Sequence, residues 1–219
     1  MAVQKNDLVE LEYSAKSEGQ LFDTTSADAA KAAGVFNEKA TYGPVLVAVG
    51  KGQVISGLDE ALQAAEEGKS VTVQLPAEKA FGPRNPDLVR LVPLAAFREQ
   101  KIDPFPGLVL EMDGRPAKVQ SVDGGRVRVD FNSELAGKPV EYAFTVTKVY
   151  RLADDKAKAL AKKLLDADAK LLDGAVTVKL ALKRDMAADV VLKKFRFMEQ
   201  AFAVVDGVKT VRFEEEYTA

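Results

Sequence analysis

The sequence predicts an α+β chain: a strand-rich unit around one short helix, interrupted by a small β-rich lobe and followed by a C-terminal αβαβ unit. Three observations carry this. From residue 45 the apolar run VLVAVG turns through KGQ into VISGLDEAL, with Leu58, Ala61, Leu62 and Ala65 at helical spacing. Residues 108–131 hold three short apolar runs joined by Asp113-Gly114 and Asp123-Gly124-Gly125, the turn chemistry of hairpins. Past residue 151 the composition shifts to Lys, Ala and Leu, and the apolar period lengthens from two toward that of a helix.

Each element follows from its local pattern. Residues 7–13, DLVELEY, alternate with Val9, Leu11 and Tyr13 on one face, as a half-buried strand does. Residues 17–19 make a turn, and Leu21 to Thr24 form a second short strand. Residues 28–41 lack a firm period and read as a loop with one helical turn at most. The run from Val45 is a buried strand feeding the bend, where Gly50 and Gly52 allow backbone angles that a Cβ resists. Ser56 is placed to cap the helix, Asp59 favours its positive end, and Gly68 is placed to stop it. Val71, Val73 and Leu75 alternate as another strand, ended by Pro76. After the lobe, VEYAFTVTKVY at residues 140–150 resumes the sheet with Tyr142, Phe144 and Val146 on one face. A helix over residues 154–172, a strand over 175–182, a helix from Met186 to about Val205 and a strand over 208–217 complete the chain. The domain reading is residues 1–86 with 138–151, an inserted lobe at 87–137, and a C-terminal unit at 152–219.

Composition excludes several chemistries. The 219 residues contain no Cys and no His, which removes thiolate nucleophiles, imidazole bases and the usual zinc sites. No phosphate-binding glycine loop or calcium loop is present, so neither a cofactor nor a metal is expected. With 31 basic and 33 acidic residues intermixed, nucleic acid is not an expected partner. No apolar run approaches the roughly 20 residues of a membrane span, and the first residues lack a signal-peptide core, so a cytoplasmic location is expected. An enzyme built from this chain needs a reaction with little call for acid, base or metal. Apolar residues gathered at the strand-to-helix junction suit either a pocket or plain core.

Several strings together resemble the FKBP-type peptidyl-prolyl isomerases, in the SlyD-like group with an insert-in-flap domain and in its longer archaeal form with a C-terminal extension. They are Tyr13, Phe22-Asp23, GKGQVISGLDEAL at 50–62, PAEKAFG at 76–82, LVRLVPLAAF at 88–97 and DFNSELAGKPVEYAFTV at 130–146. The resemblance implies an FKBP-like twisted antiparallel sheet wrapped on the short helix, with an apolar prolyl pocket between them. By matching position, Tyr13, Phe22, Asp23, Val45, Val54, Ile55, Leu58, Phe81 and Phe144 line that pocket. Asp23 either ties down Tyr13 or meets the turning carbonyl. Two departures are visible: Leu58 stands where short members carry Trp, which deepens the pocket and weakens macrolide binding, and Phe81 stands where many relatives carry Tyr. The SlyD-type metal tail is absent, so no nickel site is implied.

Rotation about an X-Pro bond breaks no covalent bond, which agrees with a chain lacking His and Cys. The inserted lobe is implied to hold unfolded clients, with Leu91, Val92, Leu94, Phe97, Phe105, Leu108 and Val109 as contacts or as the lobe's own core. The expected partners are proline-containing peptides and unfolded chains. Four phenylalanines in the small C-terminal unit (Phe195, Phe197, Phe202 and Phe213) predict a homodimer through that unit. The competing readings are a dimeric holdase that grips proline without catalysis, and an interaction protein docked through its C-terminal unit.

Overall fold

The structure is a computed structural model that describes residues 1–183 and 187–218. It divides into two compact units, Met1–Leu75 with Glu141–Ala219, and Pro76–Val140. The first unit opens with β1 (Leu8–Ser17) and β2 (Gln20–Thr24), which form a hairpin. A short helix α1 (Ala27–Ala32) follows, capped by the Ser26 hydroxyl accepting the Ala29 N–H at 3.3 Å. Then come β3 (Val45–Ala48), α2 (Ser56–Gln63) and β4 (Ser70–Leu75). One edge of β1 is shared in succession: β3 pairs with Leu8 to Leu11, and β2 with Ser14 to Ser17. The handover falls at Glu12 and Tyr13.

The helix expected from residue 56 is there, but its boundaries differ. Ile55, not Ser56, is the capping residue, and it provides no side-chain hydrogen bond. The helix also ends at Gln63 rather than near Gly68, so buried Ala65 lies beyond its end and Gly68 turns the chain into β4 at φ +78°. Asp59 is used elsewhere. Its carboxylate accepts the Gly50 N–H at 2.7 Å and the Gly52 N–H at 3.3 Å, closing the loop that leads into the helix.

The second unit holds β5 (Val89–Pro93), α3 (Leu94–Glu99), β6 (Val109–Met112), β7 (Arg115–Asp123) and β8 (Arg126–Asp130). Its sheet has four strands in the order β5-β8-β7-β6, one more than the three-strand expectation. The run LVRLVPL gives no hairpin turn of its own, and β5 forms because β8 offers it an antiparallel edge from Val89↔Asp130 to Pro93↔Arg126. Phe97, Ala117, Val119, Val127 and Val129 make the core. Asp130, 6% exposed, accepts hydrogen bonds from Arg84, Gln120, and the backbone and side chain of Asn132.

β9 (Val140–Tyr150) runs between β1 and β4, completing an antiparallel sheet of order β2-β1-β9-β4 with β3 on β1. The remainder is α4 (Ala153–Leu165), β10 (Asp168–Leu172), β11 (Ala175–Lys183), α5 (Ala187–Val204) and β12 (Thr210–Thr218), an αββαβ order where the sequence reading had αβαβ. The predicted helix over 154–172 overruns because Asp166 takes the left-handed conformation (φ 49°) and ends α4. Asp173 and Gly174 then both take positive φ, forming a hairpin turn between β10 and β11 rather than a helix stop. β12 runs parallel to β11, with α5 in the crossover. Met186, proposed as the first residue of that helix, lies outside the described residues.

These last elements share one core with the start of the chain. Leu8, Ala48, Leu160, Ala161, Val178, Phe197 and Ala201 belong to a single cluster, with Leu46 and Tyr150 packed against it. This explains why Leu8, on the supposedly polar face of β1, is only 1% exposed. Glu10, on that same face, accepts the Tyr150 hydroxyl at 2.7 Å.

Candidate functional site

Tyr13 sits where β1 changes partners, and two threonines substitute for the missing ladder. Its N–H donates to Thr25 Oγ1 at 2.9 Å, and its carbonyl accepts the Thr25 N–H at 3.0 Å and Thr24 Oγ1 at 3.0 Å. So bolted, the residue directs its phenol to Asp23 on β2, where Tyr13 Oη donates to Oδ2 at 2.7 Å. In the β1–β9 ladder Ala15 faces Tyr142 and Tyr13 faces Phe144. The Tyr142 ring therefore meets Tyr13 at 5.7 Å and lies edge-on to Phe22 at 6.2 Å. The result is an aromatic corner with one carboxylate at its rim.

Burial pushes the Tyr13 phenol above its ordinary value, and the hydrogen bond to Asp23 and that group's charge push the same way. Burial, then the Asp23 charge, raises Tyr142 to about 12. Both phenols stay protonated at neutral pH, so the corner is apolar with fixed hydroxyl donors. Tyr13, Phe22, Asp23 and Val45 line one cavity of about 270 Å³, closed on its far side by residues between α1 and β3, among them Val35 and Tyr42.

The strand-to-helix junction supplies a second group. Gly50 has φ +78°, and a Cβ there would stand 2.7 Å from Lys5 Cγ, so the bend requires glycine for both conformation and space. Gln53 Oε1 accepts the Ala48 N–H at 2.7 Å, tying the loop back to the end of β3. Val54 and Ile55 are half-buried at the helix entrance and Leu58 is buried one turn on. The Ile55 carbonyl accepts the Leu58 and Asp59 N–H groups at 3.0 Å, while the Ile55 N–H has no hydrogen-bond partner among the described residues.

Of the pocket residues taken from the sequence, Tyr13, Phe22, Asp23 and Val45 are thus brought to one cavity, and Phe144 is buried opposite Tyr13 in the ladder. Val54, Ile55 and Leu58 gather at the helix entrance. Phe81 belongs to the second unit, 36% exposed. Sequence reasoning passed over Tyr142, although its place two residues before Phe144 on the same face was a usable signal. It passed over Val35 and Tyr42 too, which lie in a stretch without periodicity. Of the lobe residues, Leu91, Phe105 and Val109 are more than half exposed, whereas Phe97 is buried and Val92, Leu94 and Leu108 pack on the lobe core. The described residues contain no cluster of acidic groups able to hold a metal ion, and no described helix is long and apolar enough to cross a membrane.

Comparison with known proteins places these features in context. Residues 1–93 match the family model for FKBP-type peptidyl-prolyl cis-trans isomerase, and residues 90–135 match the model described as FKBP26, IF domain. A short-type peptidyl-prolyl cis-trans isomerase of Methanocaldococcus jannaschii is 33% identical over 147 residues, covering 67% of this chain and 94% of the relative. The SlyD isomerase of Vibrio cholerae is 28% identical over 160 residues, 71% of this chain and 73% of its own. The FKBP-type 16 kDa isomerase of Escherichia coli is 27% identical over 152 residues, 68% of this chain and 94% of its own.

Proposed function

The chain belongs to the FKBP-type peptidyl-prolyl cis-trans isomerases, and from that premise we propose how it works. Proline-containing peptides and unfolded chains are the substrates of this family. The X-Pro bond seats among Tyr13, Phe22, Val45, Val54, Ile55, Leu58 and Phe144, with Tyr142 added to the set. The observation that carries this is the aromatic corner of Tyr13, Phe22 and Tyr142 with the Tyr13–Asp23 hydrogen bond at its rim.

The barrier to rotation is about 18–20 kcal/mol and is set by amide resonance. A cavity that excludes water removes hydrogen bonds from the planar, more dipolar imide and so favours the twisted state. The Ile55 N–H is available to hold the peptide while the bond turns. Asp23 acts through Tyr13, whose hydroxyl it already accepts, rather than on the substrate carbonyl. No proton is transferred in this scheme.

The lobe is a client-binding surface made by Leu91, Phe105 and Val109, which leave apolar area facing solvent. The C-terminal unit, residues 152–219, makes a homodimer through α5, a reading supported by Val191, Leu192, Phe195 and Phe202, each at least half exposed. A cytoplasmic folding role accommodates all of these.

A protease-coupled proline-peptide assay tests the main reading: rate acceleration at enzyme concentrations far below substrate supports it, and none refutes it. The second reading, a holdase that grips proline without turning it over, draws on Phe81, which lacks the phenol of many relatives. Loss of one such hydrogen bond is worth about 0.5–1.5 kcal/mol, which slows the reaction without abolishing it.

A further inference from the structure

The lobe sheet spends one face on its own core, where Val119, Val127 and Val129 point, and cross-strand register shows what stands on the other. Val89 pairs with Asp130, Asp130 with Lys118, and Lys118 with Val109, so these four side chains form one row across that face. A second row is Leu91, Arg128 and Ser121. The open face is therefore apolar at its two edge strands, where Leu91 and Val109 are each more than half exposed, and polar between them.

At the β5 edge lies a groove of about 450 Å³ lined by Arg84, Pro86, Val89, Leu91, Gln120 and Arg128. Three of these residues are apolar, both charged ones are arginines, and none is a carboxylate. Asp130, in the adjoining row, is enclosed and already accepts Arg84, Gln120 and Asn132. Its side chain is 8% exposed while that of Arg84 is 50% exposed, so the Arg84 guanidinium, with five donors, keeps N–H groups for a second acceptor. Arg128 is exposed and has no ion pair among the described residues. An unpaired guanidinium beside apolar surface suits a carboxylate that arrives with an apolar side chain. In an extended chain neighbouring residues follow at about 3.3 Å, so a segment that seats an aliphatic side chain on Leu91 carries its neighbours to the arginine walls. We propose that this groove takes an aliphatic side chain of an unfolded client, and that Arg84 and Arg128 select segments bearing Asp or Glu beside it. This rests on the reading of the lobe as a client-binding surface.

The test follows the fluorescence anisotropy of proline-free peptides titrated with the full chain, so that the prolyl pocket is not read. Three peptides share the same Leu and Ile residues and the same uncharged dye, and differ only in Asp, Asn or Lys beside them. The wild-type chain binds the Asp peptide about tenfold more tightly than the Lys peptide, the scale of exposed charge pairs made rather than opposed. That ratio shrinks as salt rises from about 0.05 to about 0.5 M. Arg128→Glu brings the ratio to one or inverts it, and Arg128→Gln cuts it by about half or more. Circular dichroism confirms folding, and Arg128→Gln carries the test if Arg128→Glu does not fold. Leu91→Ser weakens all three peptides, and affinities that it leaves unchanged overturn the groove. Equal binding of the Asp and Lys peptides by the wild type, or a ratio unmoved in a folded Arg128 variant, overturns the selection by arginine while leaving the lobe a client surface. A wild-type chain that binds none of the three overturns both.

Discussion

Tyr13 is the residue on which the site turns, because a break in the β1 ladder would otherwise leave it loose. Thr24 and Thr25 repair the break, and Asp23 takes the phenol. Replacing Asp23 by Ala leaves that hydroxyl without its acceptor, and kcat/KM is expected to fall about two- to tenfold with the fold preserved, the scale of one hydrogen bond. A fall of more than about a thousandfold would instead show direct participation of Asp23 in the chemistry. The same residues set the pH response. A phenol whose folded-state value is raised contributes stability that is complete below its ordinary value of 10 and lost as pH rises through the folded value. With no His in the chain, the isomerase rate is expected to be flat from about pH 6 to 9. A bell-shaped profile in that window would contradict the proton-free scheme.

At the scale of elements, the loop into α2 shows what holds a site in place. Asp59 satisfies two N–H groups of the glycine loop from the first turn of the helix, so loop and helix form one piece. Asp59→Ala is expected to cost about 1 kcal/mol, since the Gly50 N–H is part-buried and the Gly52 N–H can turn to water, and to raise KM by shifting Val54 and Ile55. Thermal unfolding and peptide kinetics on one variant check both effects. Gly50→Ala is expected to be worse, since the backbone and Lys5 both resist the added carbon. The existence of α2 was legible from Leu58, Ala61 and Leu62, because periodicity reports which face is buried. Its cap was not, because Ser56 and Asp59 compete for roles that only the course of the loop decides. β10 and β5 were illegible for a related reason: DAKLL and VRLVP become strands only because β11 and β8 present edges to them. Tyr142 was readable from its place beside Phe144. Tyr42 was not, since its role comes from stacking on a ring six residues away in an aperiodic stretch.

The molecule as a whole depends on its C-terminal residues more than a modular reading allows. Leu8, Leu46 and Ala48 lie in one cluster with Leu160 and Phe197, and Lys163 Nζ donates to the Pro44 carbonyl at 2.6 Å, next to Val45. Arg151 pairs with Asp7 at 2.7 Å, and buried Lys156 pairs with Asp206 at 2.9 Å. Removing residues 152–219 is expected to bare Leu8 and Ala48, lower the melting temperature and leave some isomerase activity, as calorimetry with the peptide assay would show. An unchanged melting temperature would mean that the shared cluster adds nothing. The Asp7 pair adds an acid limb. Burial raises that carboxyl, but bonds from Arg151 and the Gln4 N–H, with the Arg151 and Lys156 charges, outweigh it and hold the value below 3.8. Its stabilisation is therefore complete above about pH 4 and lost as pH falls through the lowered value, and Asp7→Asn should flatten that limb.

The proposed dimer is decided at the same scale, by which phenylalanines the fold covers. Phe197 is fully buried and stands edge-on to Phe213 at 6.0 Å, so a single chain hides part of what the sequence left to be hidden. Phe195 and Phe202 remain 60% and 50% exposed, with Leu192 at 66%, and they fall at helical spacing along the side of α5 turned from the core. An apolar stripe of this kind is the surface that the proposed second copy would cover. Leu192→Glu with Phe195→Glu changes only exposed positions, so each chain should fold as before. Light scattering is expected to give twice the chain mass for the wild type and one chain mass for the double variant, with isomerase activity per chain retained. A wild-type chain that scatters as a monomer at every concentration would leave the stripe without this partner. A double variant that remains a dimer would place the contact elsewhere.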